Sequence, residues 1–356
     1  MDTPVVMIVG AGATLSDAAS SPIGKRPPLD KGFFKCARAA QDSQLEQVRT
    51  YVQNSYNIDL LEPEYDSLES ILGIVYSDLF YPGLTNRAGN TFRRLLRMVN
   101  RRLAATTNPL EPTPKRNIYR IMARLFREGI RPSDVTIITY NQDLQIEKCL
   151  ALLQSTATWK NIGTVFSFPH CYHLPTPHIT SPGGRHELFE FGDSNRPGIP
   201  ILKLHGSLNW YSCHTSARPS VQALLRPTRK LRITLRTKVS SELSYVGGHR
   251  KMYGFPIVLP PVVHKAGILH ESLKPVWRDA EMALRNARRV IVFGYSCPGP
   301  DVESANLISR TIRGRTDLSS FSVVDPSPVT FQRYVDLTGL DRLSFFRSAR
   351  AYLREG

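Results

Sequence analysis

The stretch Val135–Asp143, with the sequence VTIITYNQD, decides how this chain folds. Its first five residues, Val135–Thr139, are all β-branched and predict a strand buried within a parallel sheet. The next segment repeats apolar residues at the spacing of an amphipathic helix, namely Ile146, Cys149, Leu150 and Leu153. The pattern therefore predicts a strand, a polar corner and a helix, the unit from which open α/β sheets are built.

The polar corner between this strand and helix is a candidate ligand site. Open α/β sheets bind ligands at the carboxyl ends of their strands, and Thr139, Asn141 and Asp143 lie at such an end. Asn and Asp also cap helices frequently, so these residues alone do not separate a binding site from a capping motif.

Length and composition predict a soluble globular protein. The 356 residues allow one large domain or two, and no apolar run approaches the ~20 residues of a membrane span. The first residues, MDTPVVMIVGAG, lack the features of a signal peptide and predict the first strand of the fold. The five cysteines are odd in number and widely spaced, with no Cys-x-x-Cys pair. They indicate reduced thiols in a cytoplasmic protein and argue against a disulfide framework or a cysteine-only zinc site.

The charge balance favours an anionic partner. Lys and Arg number 46 against 30 Asp and Glu, which gives a net charge of +16. Such a surplus attracts nucleotides, nucleic acids or acidic protein surfaces, and it does not choose among them.

A glycine-rich turn follows the first predicted strand, within Pro4–Thr14. Gly10 and Gly12 allow a tight turn, and the absence of a Cβ at Gly12 would let a phosphate or ribose approach the backbone. The amides of this turn and of the following helix would form an anion site. The third glycine of the dinucleotide fingerprint is replaced by Leu15, so a plain strand-to-helix turn remains an alternative.

From about residue 33 to residue 131, apolar residues recur at helical spacing and predict an inserted helical layer that packs on the sheet. The predicted helices include Cys36–Tyr51, Leu68–Leu79, Phe92–Leu103 and Ile118–Glu128. Phe92–Leu103 carries a row of arginines that could bind phosphates or an acidic partner, although a solvated helix face is the commoner explanation. These arginines are Arg93, Arg97 and Arg101 on one face, with Arg94 and Arg102 beside them.

A turn-rich span, Thr164–Pro200, holds five potential metal ligands, which are His170, Cys171, His173, His178 and His186. Their spacing matches no tetrahedral zinc pattern, and prolines interrupt the run. We therefore expect a long irregular loop here and not a metal site.

The second motif lies in Gly198–Trp210, GIPILKLHGSLNW. Ile201–Leu204 predicts a short strand, and His205 and Gly206 follow it directly. A lone histidine at a strand end is usually structural. Here it falls on the same predicted sheet edge as the TYNQD corner, which strengthens a functional interpretation.

The chain after this motif is basic and then returns to an α/β pattern. Within Arg218–Lys251, the alternation of RKLRITLRTKV predicts a half-exposed edge strand protected by its charges, with partner binding as the less common alternative. Gly254–Pro261 predicts a buried strand, and Leu273–Arg288 predicts an amphipathic helix.

The last part of the chain repeats the theme of a strand followed by a small polar turn. Arg289–Asp301 predicts a strand that runs into a turn with Gly294 and Ser296. Phe321–Val324 predicts a final strand that ends at Asp325. An acidic residue at such a strand end can hold ribose hydroxyls.

Taken in order, these motifs resemble those of the sirtuin superfamily, most closely its divergent bacterial members that hydrolyse NAD. The resemblance extends from about Val5 to Pro328 and lies in the ordered set of motifs. The matching positions are Gly10, Ala11, Gly12 and Thr14 for the family's Gly-Ala-Gly and Ser/Thr; Thr139, Asn141 and Asp143 for its Thr-x-Asn-x-Asp; His205 and Gly206 for its His-Gly; Gly294 and Ser296 for its late Gly-x-Ser; and Asp325 for the position near the adenosine half.

The resemblance implies a role for each of these residues. Asn141 and His205 would be catalytic: Asn141 would position water and ribose hydroxyls, and His205 would accept a proton near neutral pH. Gly10, Gly12 and Thr14 would hold the pyrophosphate, and Asp143 would order the site or bind the nicotinamide amide. The other cofactor-binding positions would be Ala11, Thr139, Gly206, Gly294, Ser296 and Asp325.

The chain departs from the sirtuin deacylases in two places. No Asp-Phe-Arg follows the first loop, where the sequence reads SSPIGKRPPL. Only Cys213 and Cys297 lie beyond His205, so the family's four-cysteine zinc module cannot be built. Acyl-lysine substrates dock beside that module, so the resemblance disfavours deacylation, predicts no bound metal and leaves cleavage of NAD intact.

The sequence therefore predicts one sirtuin-like α/β domain over residues 1–356. It would contain a Rossmann-like parallel sheet with helices on both faces, the helical layer inserted at about 33–131, a variable loop and strand insertion at about 211–253, and no zinc module. The resemblance implies a cytoplasmic NAD glycohydrolase, the toxic effector of an abortive antiphage defence system. It would be silenced by homo-oligomeric assembly or by a separate partner. That partner would be a HerA-type ring ATPase or a short Argonaute-type protein, through which nucleic acid could be sensed.

Two other classes of protein remain open from the sequence. One is an NAD-dependent deacylase or ADP-ribosyl transferase, which a zinc assay and an acyl-peptide assay would separate from a hydrolase. The other is a non-catalytic module that binds ADP-ribose or nucleic acid through its basic faces, without turnover and with salt-sensitive DNA affinity. The presence of both Asn141 and His205 argues against a pure binding module.

Overall fold

The structure, a computed structural model, describes residues 4–19, 21–22, 25–27, 30–62, 65, 67–81, 83–159, 161–168, 170–172, 198–216, 231–233, 243–247, 250–258 and 273–355. Most of the histidine-rich span and most of the basic stretch lie outside the described residues, so the predictions made for them stay predictions. None of the described helices is both long enough and apolar enough to cross a bilayer.

The strands of the described residues form two sheets of different kinds. In chain order the strands are β1 (Val5–Val9), β2 (Val135–Thr139), β3 (Ile201–Lys203), β4 (Gly206–His214), β5 (Leu231–Ile233), β6 (Leu243–Gly247), β7 (Arg250–Val258), β8 (Arg289–Phe293), β9 (Ser320–Val324) and β10 (Ser344–Phe346). A parallel sheet has the order β10-β9-β8-β1-β2-β3, and an antiparallel sheet has the order β5-β4-β7-β6. The parallel sheet is flanked by helices, which confirms the predicted Rossmann-like α/β fold.

The strand β1 lies inside the parallel sheet, and all five of its residues are buried. Its sequence, VVMIV, is the near-continuous apolar run expected of a strand covered on both faces. Val9 pairs with Thr139 of β2 on one side and with Phe293 of β8 on the other. These three strands therefore end at the same level, and the residues that follow them share one edge of the sheet.

The helices of the described residues are α1 (Ala11–Asp17), α2 (Phe33–Ala39), α3 (Leu45–Tyr56), α4 (Leu68–Ser77), α5 (Thr85–Thr107), α6 (Asn117–Arg127), α7 (Gln145–Ser155), α8 (Lys274–Asn286), α9 (Val302–Ile312), α10 (Pro328–Thr338) and α11 (Ala349–Glu355). Helices α2 to α6 form the predicted insertion. The predicted helix Cys36–Tyr51 is instead two helices, because the chain turns between α2 and α3, where Gln41 has a φ of 53°.

Along α5, the longest helix of the insertion, the predicted arginine face is open to solvent, with Arg93 and Arg97 half-buried. Arg101 is exposed and forms an ion pair with Asp42 at 3.3 Å. Arg102 is buried, and its burial lowers the pKa of the guanidinium. Arg102 therefore belongs to the interior of the helical layer and not to a solvated face.

The carboxyl end of α5 is fixed by two side chains of α7. Lys148 Nζ donates to the carbonyl oxygens of Thr107, Asn108 and Leu110 at 3.2, 3.1 and 3.2 Å. Gln145 Nε2 donates to the same Thr107 oxygen at 2.8 Å. These bonds satisfy carbonyl groups that a helix leaves unpaired at its end, and they join the insertion to the helix that follows the TYNQD corner.

The antiparallel sheet begins immediately after the His205 motif. It extends from Gly206 of β4 to Val258 of β7, which is wider than the predicted insertion at about 211–253. Leu231–Ile233, within the RKLRITLRTKV stretch, forms an edge strand of this sheet, as predicted. Because β3 belongs to one sheet and β4 to the other, His205 lies at the junction of the two sheets.

Candidate active site

The candidate residues lie along the edge of the parallel sheet where its strands end. Thr139, the last residue of β2, pairs with Val9 of β1 and with Lys203 of β3. On the other side, Phe293 of β8 pairs with Val9 and with Val324 of β9. The segments that follow these five adjacent strands therefore lie side by side and, together with Thr139 at the end of β2, contain the candidates.

The glycine turn after β1 packs directly against the turn after β8. Gly10 N donates to Phe293 O at 3.0 Å, and Gly12 N donates to Gly294 O at 2.9 Å. A Cβ on Gly12 would lie 2.9 Å from that same oxygen, and a Cβ on Gly294, whose φ is +63°, would lie 2.2 Å from Ala13 N. The missing Cβ of Gly12 therefore makes room for Gly294 and not, as the sequence suggested, for a ligand group.

Thr14, in α1, links the glycine turn to the TYNQD corner. Its hydroxyl donates to Asp143 Oδ2 at 2.8 Å and accepts from Asn141 Nδ2 at 3.1 Å. All three side chains are buried. Because a hydroxyl has a single proton, Thr14 cannot donate to a pyrophosphate while these bonds exist, and its evident role is to position Asn141 and Asp143.

Asn141 has one buried polar atom without a partner. Its backbone N donates to Thr139 Oγ1 at 3.0 Å, and that hydroxyl donates to Val9 O at 3.1 Å, which fixes the corner on β1. Its side-chain Oδ1 is buried and accepts no hydrogen bond from any described residue. A buried, unpaired amide oxygen costs about 1–3 kcal/mol. This oxygen is therefore a well-marked acceptor for a ligand hydroxyl or a water molecule.

Asp143 is held within the corner. Its Oδ1 accepts from Gln145 N at 2.9 Å, and its Oδ2 accepts from Thr14. Burial raises the pKa of Asp143, although the nearby Lys203 acts in the opposite direction. Of the two roles inferred from the sequence, ordering the site fits these contacts better than binding the nicotinamide amide.

A buried ionic network lies behind the corner. Lys203 Nζ is 3.0 Å from Glu147 Oε1 and also donates to the carbonyl oxygen of Asp143. Tyr172 donates to Glu147 Oε1 at 2.6 Å and accepts from Asn209 Nδ2 at 3.2 Å. A buried lysine needs such partners because an unpaired charge is very costly in the interior. The network ties β3 to the start of α7 and has a structural explanation.

His205 is fixed by its neighbours in the chain. The carbonyl oxygen of Leu204 accepts a hydrogen bond from Trp277 Nε1 at 3.2 Å. On the other side, Gly206 has a φ of +78°, and a Cβ there would lie 2.1 Å from Ile257 O. Glycine is therefore required at position 206 for the chain to pass from one sheet to the other, and the backbone of His205 is held on both sides.

The His205 side chain faces a buried carboxylate. His205 Nε2 lies 3.5 Å from Asp301 Oδ2, and Asp301 is 1% exposed. Tyr295 donates to Asp301 Oδ2 at 2.6 Å, and Ser304 donates to Asp301 Oδ1 at 2.7 Å. Two hydroxyl groups therefore hold the carboxylate in place. A carboxylate that is fixed in this way orients the histidine ring that it faces.

Aromatic rings enclose this pair. The Tyr140 and Tyr295 rings stack with their centroids 3.8 Å apart, and His205 meets Tyr140 edge to face at 5.0 Å. The Tyr334 hydroxyl donates to Tyr295 O at 3.0 Å. Burial raises the pKa of both Tyr140 and Tyr295 well above the ordinary tyrosine value, so both rings are neutral at physiological pH.

The remaining candidates reach the same edge but show no feature that marks a ligand. The Ser296 side chain is exposed, and the backbone carbonyl oxygen of Ser296 accepts a hydrogen bond from Arg333 at 2.9 Å. Asp325 Oδ1 accepts from Ser327 N at 2.9 Å, one residue before α10, and burial raises the pKa of Asp325. Ala11 is exposed at the first position of α1.

Asp301, Tyr295 and the Lys203–Glu147 pair were not predicted from the sequence. Asp301 is adjacent to the start of α9, where an acidic residue is usually explained as a helix cap. The strands β8 and β3 are separated by β1 and β2 in the sheet. No local pattern connects them, and the contact between Asp301 and His205 is visible only in three dimensions.

No protein-family model matches this chain, and no curated protein does either. The class of protein therefore rests on the fold and on the site: an α/β protein with a Rossmann-like sheet and a polar site at the carboxyl ends of its strands. Within the described residues, no group of three or more His, Cys, Asp or Glu side chains is arranged to hold a metal ion. Cys36, Cys149, Cys171 and Cys297 are buried and belong to no disulfide among the described residues.

Proposed function

We propose that this protein is an NAD glycohydrolase, which uses water to cleave NAD into nicotinamide and ADP-ribose. The proposal is carried by one observation, the convergence at a single sheet edge of the His205–Asp301 pair and the unpartnered Oδ1 of Asn141. NAD as the substrate is supported by the resemblance of the ordered motifs to sirtuins.

Cleavage of NAD requires no general acid at the leaving group. When the bond between ribose C1′ and the nicotinamide nitrogen breaks, nicotinamide leaves as a neutral molecule and needs no proton. The ribose takes on oxocarbenium-like character, and the oxygen of a water molecule bonds to C1′. One proton of that water must be removed, so a single general base is sufficient.

His205 is the residue that would remove this proton. Its Nε2 faces Asp301, so the proton of the neutral imidazole would lie on Nε2, and Nδ1 would be the basic atom. Asp301 would act as a positioning residue that selects this tautomer and stabilises the imidazolium. The proton then passes from His205 to solvent.

Asn141 would hold the ribose or the water through its Oδ1. The orientation of the amide follows from its hydrogen bonds, because Nδ2 donates to Thr14 and Oδ1 is thereby the free end. Thr14 is in turn fixed by Asp143. The acceptor is therefore positioned before the substrate arrives, which is how a protein site lowers the cost of ordering reactants.

The wider role follows from the resemblance and is proposed with it. The protein would act in the cytoplasm as the toxic effector of an abortive antiphage system, and its buried cysteines outside disulfides suit a reducing compartment. Homo-oligomeric assembly or a partner of the HerA-type or short Argonaute-type would control it. The net charge of +16 suits an acidic partner surface or nucleic acid bound through such a partner.

The test is release of nicotinamide from NAD by the purified full chain over a wide range of protein concentrations. We expect release by the wild type and a fall of about 10²–10⁴-fold in His205→Ala and Asn141→Ala. His214→Ala is a matched control, since His214 is a buried histidine of β4 bonded to Ser212. Asn100→Ala is matched to Asn141→Ala, since Asn100 also has a buried, unpartnered Oδ1 but lies on α5.

Three results would count against the proposal. NAD binding without nicotinamide release at any concentration would indicate a binding module. Consumption of NAD only in the presence of an acyl-peptide would indicate a deacylase. Wild-type rates of nicotinamide release in both His205→Ala and His214→Ala would show that His205 is not the general base.

A further inference from the structure

A second candidate site lies between α6, α11 and the segment 157–159, where the structure has a cavity of about 690 Å³. We call it the arginine groove. Arg120, Arg124 and Arg127 of α6 line one side, and Thr158, Trp159 and Leu353 line the other. The volume falls within the range of about 300–1,000 Å³ that is typical of small-molecule sites.

The three arginines share one face of α6 because they are spaced at i, i+4 and i+7. The opposite face is buried and includes Ile121 and Leu125. The guanidinium groups can reach along about 10 Å of the helix. Like charges at this spacing repel one another, so the face is stabilised when an anion lies between them.

Arg124 is already fixed in position. It donates to Glu128 Oε1 at 2.6 Å and to the carbonyl oxygen of Tyr352, and its guanidinium lies over the Tyr352 ring at 5.1 Å. Glu128 is shared with Arg289 at 2.5 Å. Burial acts to raise the pKa of Glu128, but the hydrogen bonds from both arginines lower it, so Glu128 stays ionised.

Arg120 and Arg127 differ from Arg124, because both are exposed and neither pairs with an acidic side chain of the described residues. One carboxylate, Glu128, therefore faces several positive groups. The helix dipole explains basic residues in the last turn of α6, which contains Arg124 and Arg127. It does not explain Arg120, which is the fourth residue of α6 and lies near its amino end, nor the cavity beside it.

Trp159 also lines the groove. It is 8% exposed, and its Nε1 has no acceptor among the described residues. An anionic oxygen that entered the groove could satisfy this donor as well as the arginines. Arginine is the side chain best suited to phosphate because its planar fork donates two parallel hydrogen bonds.

The groove is separate from the candidate active site. Arg289, which shares Glu128 with Arg124, is the first residue of β8, whereas Gly294 of the site follows the last residue of that strand. A strand of this length spans roughly 15 Å. The two features therefore lie at opposite edges of the parallel sheet.

We infer that the arginine groove binds the phosphate groups of a nucleotide-sized ligand, at a site distinct from the one that would cleave NAD. The probes are inorganic pyrophosphate and ADP, and the reporters are tryptophan indole signals in an NMR spectrum of the full chain. The chain has three tryptophans. Trp159 reports on the groove, and Trp277 reports on the candidate active site, because its Nε1 donates to the residue before His205.

We expect both probes to shift the Trp159 signal in a saturable way at physiological salt. The double variant Arg120→Ala/Arg127→Ala should bind at least about tenfold more weakly, since charged hydrogen bonds are lost. The control Arg278→Ala/Arg342→Ala removes the same charge from exposed positions elsewhere and should leave the titration unchanged.

Any of four results would overturn the inference. The Trp159 signal could stay fixed at millimolar pyrophosphate, or shift equally in both double variants. It could respond equally to sulfate, which would indicate a generic anion effect. It could also respond to a single-stranded oligonucleotide but to neither probe, which would indicate a nucleic-acid surface. A shift of Trp277 with NAD tests binding at the candidate active site independently of all four, and nicotinamide release tests the proposed cleavage.

Discussion

The two halves of the sheet edge use their polar groups in opposite ways. In the glycine half, formed by Gly10, Gly12, Gly294 and Asp325, the backbone and carboxylate groups bond to other parts of the chain. In the histidine half, formed by Asn141, His205 and Asp301, an amide oxygen is left without a partner and a histidine faces a buried carboxylate. Packing of the chain explains the contacts of the glycine half, whereas it does not explain the unpartnered Asn141 oxygen of the histidine half.

This contrast matters because both halves carry sequence motifs of the same apparent quality. A motif that is needed for packing should reveal itself through stability when it is changed. A motif that is needed for chemistry should reveal itself through rate, with little change in stability. The following variants separate the two cases.

The largest effect is expected in the histidine half, for Asp301→Asn. Nicotinamide release should fall by about 10²–10⁴-fold, because the asparagine cannot stabilise the imidazolium and can select the wrong tautomer of His205. Nitrogen-15 NMR of His205 should show the tautomer change directly, which a purely structural role would not produce. Asp279→Asn, a buried carboxylate of α8, is the matched control. Unchanged activity together with an unchanged tautomer would place Asp301 outside the mechanism.

The next effect is expected in the glycine half, for Gly294→Ala. The new Cβ would lie 2.2 Å from Ala13 N, which is a backbone atom. The φ of +63° at residue 294 also disfavours any residue with a Cβ. We expect a loss of about 3 kcal/mol or more in the free energy of unfolding. Gly299→Ala is the control, since no atom lies within 4 Å of its Cβ position. Urea denaturation measures the free energy of unfolding of both variants. Equal values would show that the turns after β1 and β8 can move apart without loss of stability.

A smaller effect is expected at the boundary of the halves, for Asp143→Asn. The pKa of Asp143 is raised from 3.8 in the folded chain, so the folded state holds its proton more tightly than the unfolded state. Its contribution to stability is therefore greatest below pH 3.8 and is lost as pH rises through the folded pKa, by about 1.4 kcal/mol for each unit of difference. The stability of the wild type relative to Asp143→Asn should fall over that window. A difference that rises with pH would mean that Lys203 outweighs burial.

The smallest effect is expected for Asp325. If its carboxylate serves only as a cap for the turn before α10, Asp325→Ala should cost about 1 kcal/mol, and Asp325→Asn should restore most of it. Neither variant should then change the KM for NAD by more than about twofold. If Asp325 instead holds ribose hydroxyls, Asp325→Asn would raise the KM for NAD while the free energy of unfolding stays normal. Asp325 would then belong with the ligand-binding residues and not with the glycine half.

The parallel sheet could be predicted because its strands carry their own signal. Val135–Thr139 is a strand with the bounds predicted from its β-branched run, and α7 follows the corner as its apolar spacing indicated. Buried parallel strands read as continuous apolar runs, and this signal needs no tertiary information. The inserted helices were predicted for the same reason, from their spacing.

The contacts that distinguish the two halves could not be predicted in this way. The pairing of Asp301 with His205 and the packing of Gly12 on Gly294 each join residues distant in sequence. The glycine pattern was visible, but its physical cause was misassigned, because a missing Cβ looks the same whether a ligand or a second backbone fills the space. The burial of Arg102 was missed because charge in a helix usually indicates solvent.

The hydrogen bonds from α7 to the carboxyl end of α5 affect how cooperatively these two parts of the chain unfold. Lys148 and Gln145 close the end of α5, and Gln145 N also bonds to Asp143, so the end of the long helix and the corner that carries Asn141 share a single set of bonds. Neither can open without breaking contacts of the other, so their amides should exchange with solvent as one unit. A ligand that binds to Asn141 would slow amide hydrogen exchange in the last turns of α5. The inserted layer is in this sense part of the folding unit of the site and not an appendage that can be trimmed from it.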